Sequence, residues 1–168
     1  MFLLSKYGLF NGKLVVAFSK YRGIFKPKNP GKYVGDLSSC TFRSLLELRM
    51  MTYIDRHPDI IKWSSETIVV PYISPKDGRQ HRYFVDLAIV KRTPDGKEHK
   101  LLVEIKPDFE TKPPKPPKTK KGTRRFLEES ITWSVNSAKW RAAREFAAAH
   151  GCQFLVITDL DINGKSGK

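Results

Sequence analysis

Two apolar segments, HRYFVDLAIV at 81–90 and KLLVEIK at 100–106, are separated by the turn sequence TPDG at 93–96. Both have the alternation and the β-branched and aromatic residues that are typical of strands. Because the turn reverses the chain, the two segments are predicted to form an antiparallel hairpin in which paired residue numbers sum to about 190. A β-sheet is therefore the centre of the predicted fold.

The remaining elements are those of an α/β domain. Gly151 is placed as the stop of an alanine-rich helix, and His57 and Pro58 end an earlier one. The order helix, three strands, helix, strand (αβββαβ) predicts a central mixed sheet flanked by helices. The segments concerned are a helix at 42–55, an edge strand at 66–73, a helix at 134–150 and a buried strand at 153–158.

The charge of the chain points to a polyanionic partner. A length of 168 residues suits one domain, and 31 Lys and Arg against 17 Asp and Glu give a net charge of +14. Nucleic acid is the commonest such partner, because neutralising phosphates releases counterions. A basic structural protein or a surface for acidic lipid remains an alternative.

Two basic segments rich in proline or glycine, at 19–35 and 110–125, are expected to lie outside regular structure and to contact double-stranded DNA. The predicted organisation is a basic arm or extension at 1–36, a nuclease domain at 37–160 that carries the loop 110–125, and a tail at 161–168. A solvated loop that only aids solubility is the alternative. The candidate DNA contacts are Arg22, Lys26, Lys28, Lys32, Arg43, Lys115, Lys118, Lys120, Lys121, Arg124 and Arg125.

The sequence has two cysteines, Cys40 and Cys152, and no metal-binding cysteine motif, so we expect a reducing compartment. Charged and polar residues interrupt every apolar run near the amino terminus. We therefore expect neither an export signal nor a membrane span.

Charged side chains lie within the two hairpin strands. Glu104 and Lys106 share one face of their strand because side chains alternate. Asp86 lies in the middle of the partner strand, where an aspartate is disfavoured unless something compensates for it. The predicted register places Asp86 and Glu104 opposite each other, with β-carbons about 5 Å apart. Such carboxylates repel unless a divalent cation or a proton lies between them, and oxygen ligands suit Mg²⁺ or Mn²⁺.

These groups suit phosphodiester hydrolysis. A metal held by carboxylates polarises the scissile phosphate and lowers the pKa of a bound water, while Lys106 orients that water or stabilises the developing charge. Glu47, at the border of the apolar stripe of the first helix, is a further candidate catalytic residue and metal ligand. The expected catalytic set is Glu47, Asp86, Glu104 and Lys106.

A purely structural interpretation is also open. Asp86 could be solvated on an open sheet face, with Glu104 and Lys106 as an ordinary surface pair. Glu47 could pair with Arg43 four residues before it. The apolar residues predicted on the same sheet face as the carboxylates argue against a polar exterior there: Phe84, Ala88 and Leu102.

The helix-borne Glu47, followed by Asp86 and by Glu104-Ile105-Lys106 on strands, resembles the restriction-endonuclease-like PD-(D/E)XK superfamily. The chain is also similar to the TnsA nuclease domain, which has glutamine where this sequence has Glu104. A more extensive resemblance is to the head-completion nuclease family of tailed phages. It rests on KYVGD at 32–36, FRSLLE at 42–47, VPYISPKDGRQHRYFVDLAI at 70–89, VEIKP at 103–107 and AKWRAAREFAAAHGCQFLVITD at 138–159.

That resemblance implies an endonuclease acting late in virion assembly on DNA ends in filled heads, with phage head or neck proteins as partners. It also implies a location in the host cytoplasm during assembly and association with the virion. Residues 1–18 depart from the family pattern. A symmetric double-strand cut would favour a homodimer.

Two other functions remain open at this stage. A noncatalytic basic head protein could bind and cap packaged DNA on a retained nuclease fold. A TnsA-like transposition or repair nuclease would share the chemistry and differ only in its biological context.

Overall fold

The computed structural model describes residues 21–162, together with the backbone of the two-residue strands β1 (Leu9–Phe10) and β2 (Lys13–Leu14), which pair with each other. The predicted extension before residue 21 and tail after residue 162 otherwise lie outside the described residues. The other elements, in chain order, are β3 (Gly23–Ile24), β4 (Thr41–Phe42), α1 (Leu45–Arg56), β5 (Ile60–Ser65), β6 (Val69–Ile73), β7 (Gln80–Phe84), β8 (Leu87–Arg92), β9 (Glu98–Lys106), α2 (Thr123–Ala149), β10 (Gln153–Thr158) and the short helix α3 (Asp159–Ile162).

The central sheet has four strands in the order β10-β9-β8-β5. Strand β10 is parallel to β9, and the other neighbours are antiparallel, so the sheet is mixed. Strands β6 and β7 form a separate hairpin, as do β3 and β4. The predicted α/β architecture, a central mixed sheet flanked by helices, is confirmed.

The hairpin register is the predicted one. Leu87 pairs with Val103 and Ala88 with Leu102, so that paired numbers sum to 190. The strand expected at 81–90 is nevertheless broken after Phe84, because the chain there passes from the β6–β7 hairpin into the central sheet. Asp86 therefore lies at a break between strands, and its expected position in the middle of a strand is wrong.

Strand β5, at the edge of the central sheet, was not predicted from the sequence. It pairs with β8 and contributes Trp63, which is almost completely buried, to the core. The expected strand at 66–73 begins three residues later, at Val69, and pairs with β7 outside the central sheet.

The two faces of the sheet are covered by different elements. On one face, α1 and the segment around Phe25 and Tyr33 pack over Val103 and Ile105. On the other face, α2 and the β6–β7 hairpin pack over Leu102, which shares its side of β9 with Glu104 and Lys106. The charged residues of β9 therefore lie beneath α2 and the hairpin.

Helix α1 begins at Leu45, later than expected, because the Ser44 side chain accepts a hydrogen bond from the Glu47 amide and caps the helix there. Phe42 belongs to β4 instead and is buried in the core. The helix ends before His57, as predicted.

The segment from residue 23 to residue 36 packs against the domain and does not extend away from it as an arm. Phe25 and Tyr33 are buried beside Trp63. The Lys32 ammonium donates hydrogen bonds to the carbonyl oxygens of residues 55 and 57, at 3.3 and 2.9 Å. These are terminal carbonyls of α1, so Lys32 caps this helix.

Helix α2 begins at Thr123, eleven residues before its expected start, so the basic segment 110–125 is not entirely loop. Arg124 and Arg125 lie in its first turn and form ion pairs four residues along the helix with Glu128 and Glu129. Gly151, with φ of 63°, follows its end as predicted. In the described part of the chain, no helix combines the length and apolarity needed to cross a membrane.

Strand β10 has the predicted bounds, but it lies at the edge of the sheet. Within this strand only Phe154 is buried, and the expectation of a buried strand is wrong. Its neighbour on one side is β9, and among the described residues the hydrogen-bonded strand pairing of the central sheet ends with β10.

Candidate active site

A cavity of about 430 Å³ lies where the chain crosses from the β6–β7 hairpin into the central sheet. Three predicted site residues line it: Asp86, Glu104 and Lys106. The structure therefore brings together residues from the break before β8 and from the end of β9. The complete lining is Arg43, Glu66, Arg82, Tyr83, Phe84, Asp86, Glu104, Lys106 and Lys139.

Both carboxylates are held in place by hydrogen bonds. The Ile105 amide donates to Asp86 Oδ2 at 2.8 Å, and the Tyr83 hydroxyl donates to Glu104 Oε2 at 2.5 Å. Glu104 is only 4% exposed, and its Oε1 lies 3.4 Å from the Lys106 ammonium. The donors restrict each carboxylate to one orientation, while the Asp86 side chain remains accessible from the cavity.

The electrostatics of the site reflect crowding of negative charge. Burial, followed by the charge of Glu104, raises the pKa of Asp86 well above its ordinary value, against the lowering effects of the Ile105 amide and Lys106. Burial by itself lowers the pKa of Lys106, but Glu104 and Asp86 outweigh it and the net pKa is raised. Lys106 therefore remains a cation, and a further positive charge in the cavity would relieve the carboxylate repulsion.

Burial and the charge of Glu104 also raise the pKa of the Tyr83 hydroxyl. The phenol therefore stays protonated and remains a donor to Glu104. This hydroxyl thus positions the carboxylate without removing its negative charge.

Glu47 has a different role from the one expected. Its carboxylate accepts hydrogen bonds from the Ser44 hydroxyl, at 3.0 Å, and from the Arg43 amide, at 2.9 Å, in a capping arrangement at the start of α1. The described residues contain no cluster of three or more His, Cys, Asp or Glu side chains suited to one metal ion. Glu47 therefore does not complete a ligand set with Asp86 and Glu104 here.

Arg43 lines the cavity, with its guanidinium 2.8 Å from the carboxylate of Glu66. The expected pairing of Arg43 with Glu47 involves only the Arg43 backbone. Glu66 itself has a φ of 53°, and its amide donates to the Asp86 carbonyl at 3.1 Å. The Arg43–Glu66 pair therefore flanks the strand break that carries Asp86.

Sequence reasoning missed Glu66, Arg82, Tyr83 and Lys139 as cavity residues. The Lys139 ammonium lies 5.6 Å from the centroid of the Tyr83 ring and 5.8 Å from that of Tyr72. Tyr83 carried one usable signal, because an aromatic residue three positions before an aspartate in a strand-like segment has an inward-facing alternation. Nothing in the local pattern placed Lys139, which arrives from α2.

Apart from Arg43, none of the expected DNA contacts lines the cavity. Lys32 is occupied in capping α1. Arg22, Lys26 and Lys28 are exposed on the segment that packs beside α1, and the other basic residues lie on the loop before α2 and in its first turn. The exposed residues of this second group are Lys115, Lys118, Lys120, Lys121, Arg124 and Arg125.

The chain resembles known nucleases over most of its length. Residues 57–159 match the family described as "TnsA-like endonuclease N terminal", a range that includes Asp86, Glu104 and Lys106 but begins after Glu47. The chain is also 40% identical over 141 residues to the "Head completion nuclease" of Enterobacteria phage T4, covering 83% of this chain and 91% of that protein. With its restriction-endonuclease-like arrangement of sheet and helices, this chain belongs to the TnsA-like endonuclease family, alongside the phage head-completion nuclease.

Proposed function

We propose that this protein is an Mg²⁺-dependent endonuclease that hydrolyses phosphodiester bonds of double-stranded DNA during phage head completion. The observation that carries the proposal is the cavity in which Asp86 and Glu104 lie together beside Lys106. Two oriented carboxylates and a cation are costly to bury for structural reasons alone. They are useful where charged oxygens of a phosphodiester react.

The donor set fits a magnesium ion. Mg²⁺ in proteins is commonly held by one or two carboxylates, with waters and substrate phosphate oxygens as its other ligands. Asp86 and Glu104 are the residues that would hold it, and Mn²⁺ would substitute. When bound, the ion supplies Lewis-acid polarisation of the phosphate and lowers the pKa of a water molecule.

The residues of this chain supply the rest of the chemistry. The Lys106 ammonium donates to a phosphate oxygen or orients the attacking water, because it lies on the cavity wall and is held near Glu104. The Ile105 amide and the Tyr83 hydroxyl keep Asp86 and Glu104 in their orientations. Glu47, whose charge contributes to the raised pKa of Asp86, acts indirectly through the start of α1.

Binding of duplex DNA is supported by the net charge of +14 and by the exposed cations. The loop before α2 carries lysines on a proline-rich backbone, which suits contacts to phosphates without reading sequence. We propose that this loop and the segment around Arg22, Lys26 and Lys28 bind the DNA backbone. Arg124 and Arg125 join them from the first turn of α2.

The biological setting is proposed from the relative of Enterobacteria phage T4, whose name is head completion nuclease. We propose that this chain acts on ends of packaged DNA, in the host cytoplasm during assembly, and associates with head or neck proteins of the particle. A homodimer would allow both strands to be cut symmetrically.

The test is cleavage of supercoiled plasmid with Mg²⁺, with Mn²⁺ and with a chelator. Wild-type protein should nick the plasmid with either metal and lose activity in the chelator. Asp86→Asn, Glu104→Gln and Lys106→Ala should each lower the rate by about 100-fold or more. Lys106→Arg should not restore it, because a planar guanidinium does not replace a compact ammonium.

Strand β9 provides matched controls. Glu98→Gln and Lys100→Ala make the same chemical changes at exposed positions near the other end of the strand and should leave cleavage unchanged. Intact plasmid with the wild-type protein and either metal would favour a noncatalytic DNA-capping protein. Full activity in Glu104→Gln would remove the active-site assignment.

A further inference from the structure

Phe84 is a large apolar side chain that the core does not use. It is 45% exposed at the end of β7 and lines the catalytic cavity, two residues before Asp86. The preceding residue, Tyr83, is buried and points to the opposite face of the hairpin, beside α2. Packing within the described part of the domain therefore gives Phe84 little stabilisation.

Arg82 lies on the same face of the hairpin as Phe84. Its guanidinium is 5.0 Å from the centroid of the Phe84 ring and also lines the cavity. A planar guanidinium over an aromatic ring combines a cation–π contact with outward hydrogen-bond donors. The two residues form an aromatic and cationic pair, which we name the Arg82–Phe84 platform.

Nucleic-acid bases stack readily on such side chains, because each base has a π-face. Inside an intact duplex both faces of a base are covered by its neighbours, so stacking on a protein ring requires an unstacked base. The chemistry of the platform suits a base with a free face and, through Arg82, the phosphate beside it. Its position on the cavity wall places that base next to the phosphate that reacts.

Resting on the proposed nuclease function, we propose that the Arg82–Phe84 platform stacks an unpaired base next to the scissile phosphate. The preferred substrate class is then DNA with an unpaired nucleotide at the cleavage position, as in a frayed end, flap or fork. Fully paired DNA is cleaved more slowly, because a base must first leave the stack.

The first arm measures binding without any metal. A forked duplex carries 2-aminopurine at the first unpaired position, and the fluorescence of this base decreases when it stacks on a ring. Wild-type protein should quench it and bind the fork about tenfold more tightly than Phe84→Ala or Phe84→Leu does. Phe84→Trp, which keeps an aromatic ring, should retain both the quenching and the affinity.

Ile73 is the matched control, since it is 59% exposed on the same face of the hairpin but at its other end, opposite Gln80. Ile73→Ala should quench and bind like wild type. Equal quenching by wild type and Phe84→Ala would overturn the proposal, as would equal loss in Ile73→Ala.

The second arm compares cleavage of the fork with cleavage of a fully paired closed circle, with Mg²⁺. Wild type should prefer the fork, and Phe84→Ala should lose this preference while cutting the circle within about twofold of the wild-type rate. Equal loss on both substrates, or an unchanged preference, would overturn base stacking. Phe84-dependent quenching without any wild-type cleavage would support the platform and refute the nuclease function.

Discussion

Asp55 fastens the amino-terminal segment to α1, and its removal should cost measurable stability. Its side chain is 1% exposed and accepts hydrogen bonds from the backbone amides of Lys28, at 2.8 Å, and Asn29, at 3.3 Å to each oxygen. Asp55→Ala leaves both amides without this acceptor. The contacts to its backbone carbonyl are expected to remain.

The magnitude follows from these bonds. A hydrogen bond to a charged group contributes about 1.5–3 kcal/mol, with the 2.8 Å bond near the upper value and the shared 3.3 Å bond near the lower. Removing a buried carboxylate near the carboxyl end of a helix returns about 1–2 kcal/mol through desolvation and the helix dipole. The expected net loss is about 2–3 kcal/mol, which corresponds to about 5–10 °C in Tm.

The assay is urea unfolding followed by tryptophan fluorescence, because Trp63 contacts Phe25 and Tyr33 in the fastened segment. Asp55→Asn keeps one acceptor oxygen and should lose about half as much stability. Asp59→Ala removes an exposed carboxylate just beyond the same helix and should stay within about 0.5 kcal/mol of wild type. A loss below that same value in Asp55→Ala would refute the reasoning.

Three further changes have definite expected outcomes. Asp86→Asn should raise the metal-free Tm, by about 0.5–2 kcal/mol of stability, because it relieves repulsion from Glu104 while keeping an acceptor for the Ile105 amide; a lower Tm would contradict this. Ser44→Ala should cost about 0.5–2 kcal/mol in chemical denaturation through loss of the α1 cap, and an unchanged midpoint would count against the cap. Neutralising the loop should flatten the plot of log affinity against log salt by about 0.9 for each DNA phosphate that the protein no longer neutralises, equally for all DNA sequences. An unchanged slope would show that the loop does not bind DNA; the residues to change together are Lys115, Lys118, Lys120 and Lys121.

Local pattern was sufficient for the centre of the fold. The alternation in β8 and β9 and the turn between them predicted the register, and the structure has it. Gly151 marked the end of α2 for a reason that depends on one residue, its ease at positive φ. The proximity of Asp86 and Glu104 followed from that register, since pairing rules are short-range.

Other features had no clear local signal. The amino-terminal half of α2 lacks an apolar stripe, and its helix is supported by ion pairs such as Arg124–Glu128, which propensity alone does not reveal. The strand break at Asp86 depends on which partner each half finds, because β7 pairs with β6 and β8 with β5 and β9. A strand pattern read along one segment contains no information about these partners.

The sequence by itself determined that Asp86, Glu104 and Lys106 would share one side of a hairpin, because a two-residue period and a tight turn leave one consistent arrangement. Tertiary structure decided what surrounds them. Tyr83 reaches Glu104 from the neighbouring hairpin and Lys139 reaches the cavity from α2, while Glu47 is used to cap α1. These contacts join residues distant in the chain, and packing of the two layers against opposite faces of the sheet brings them together.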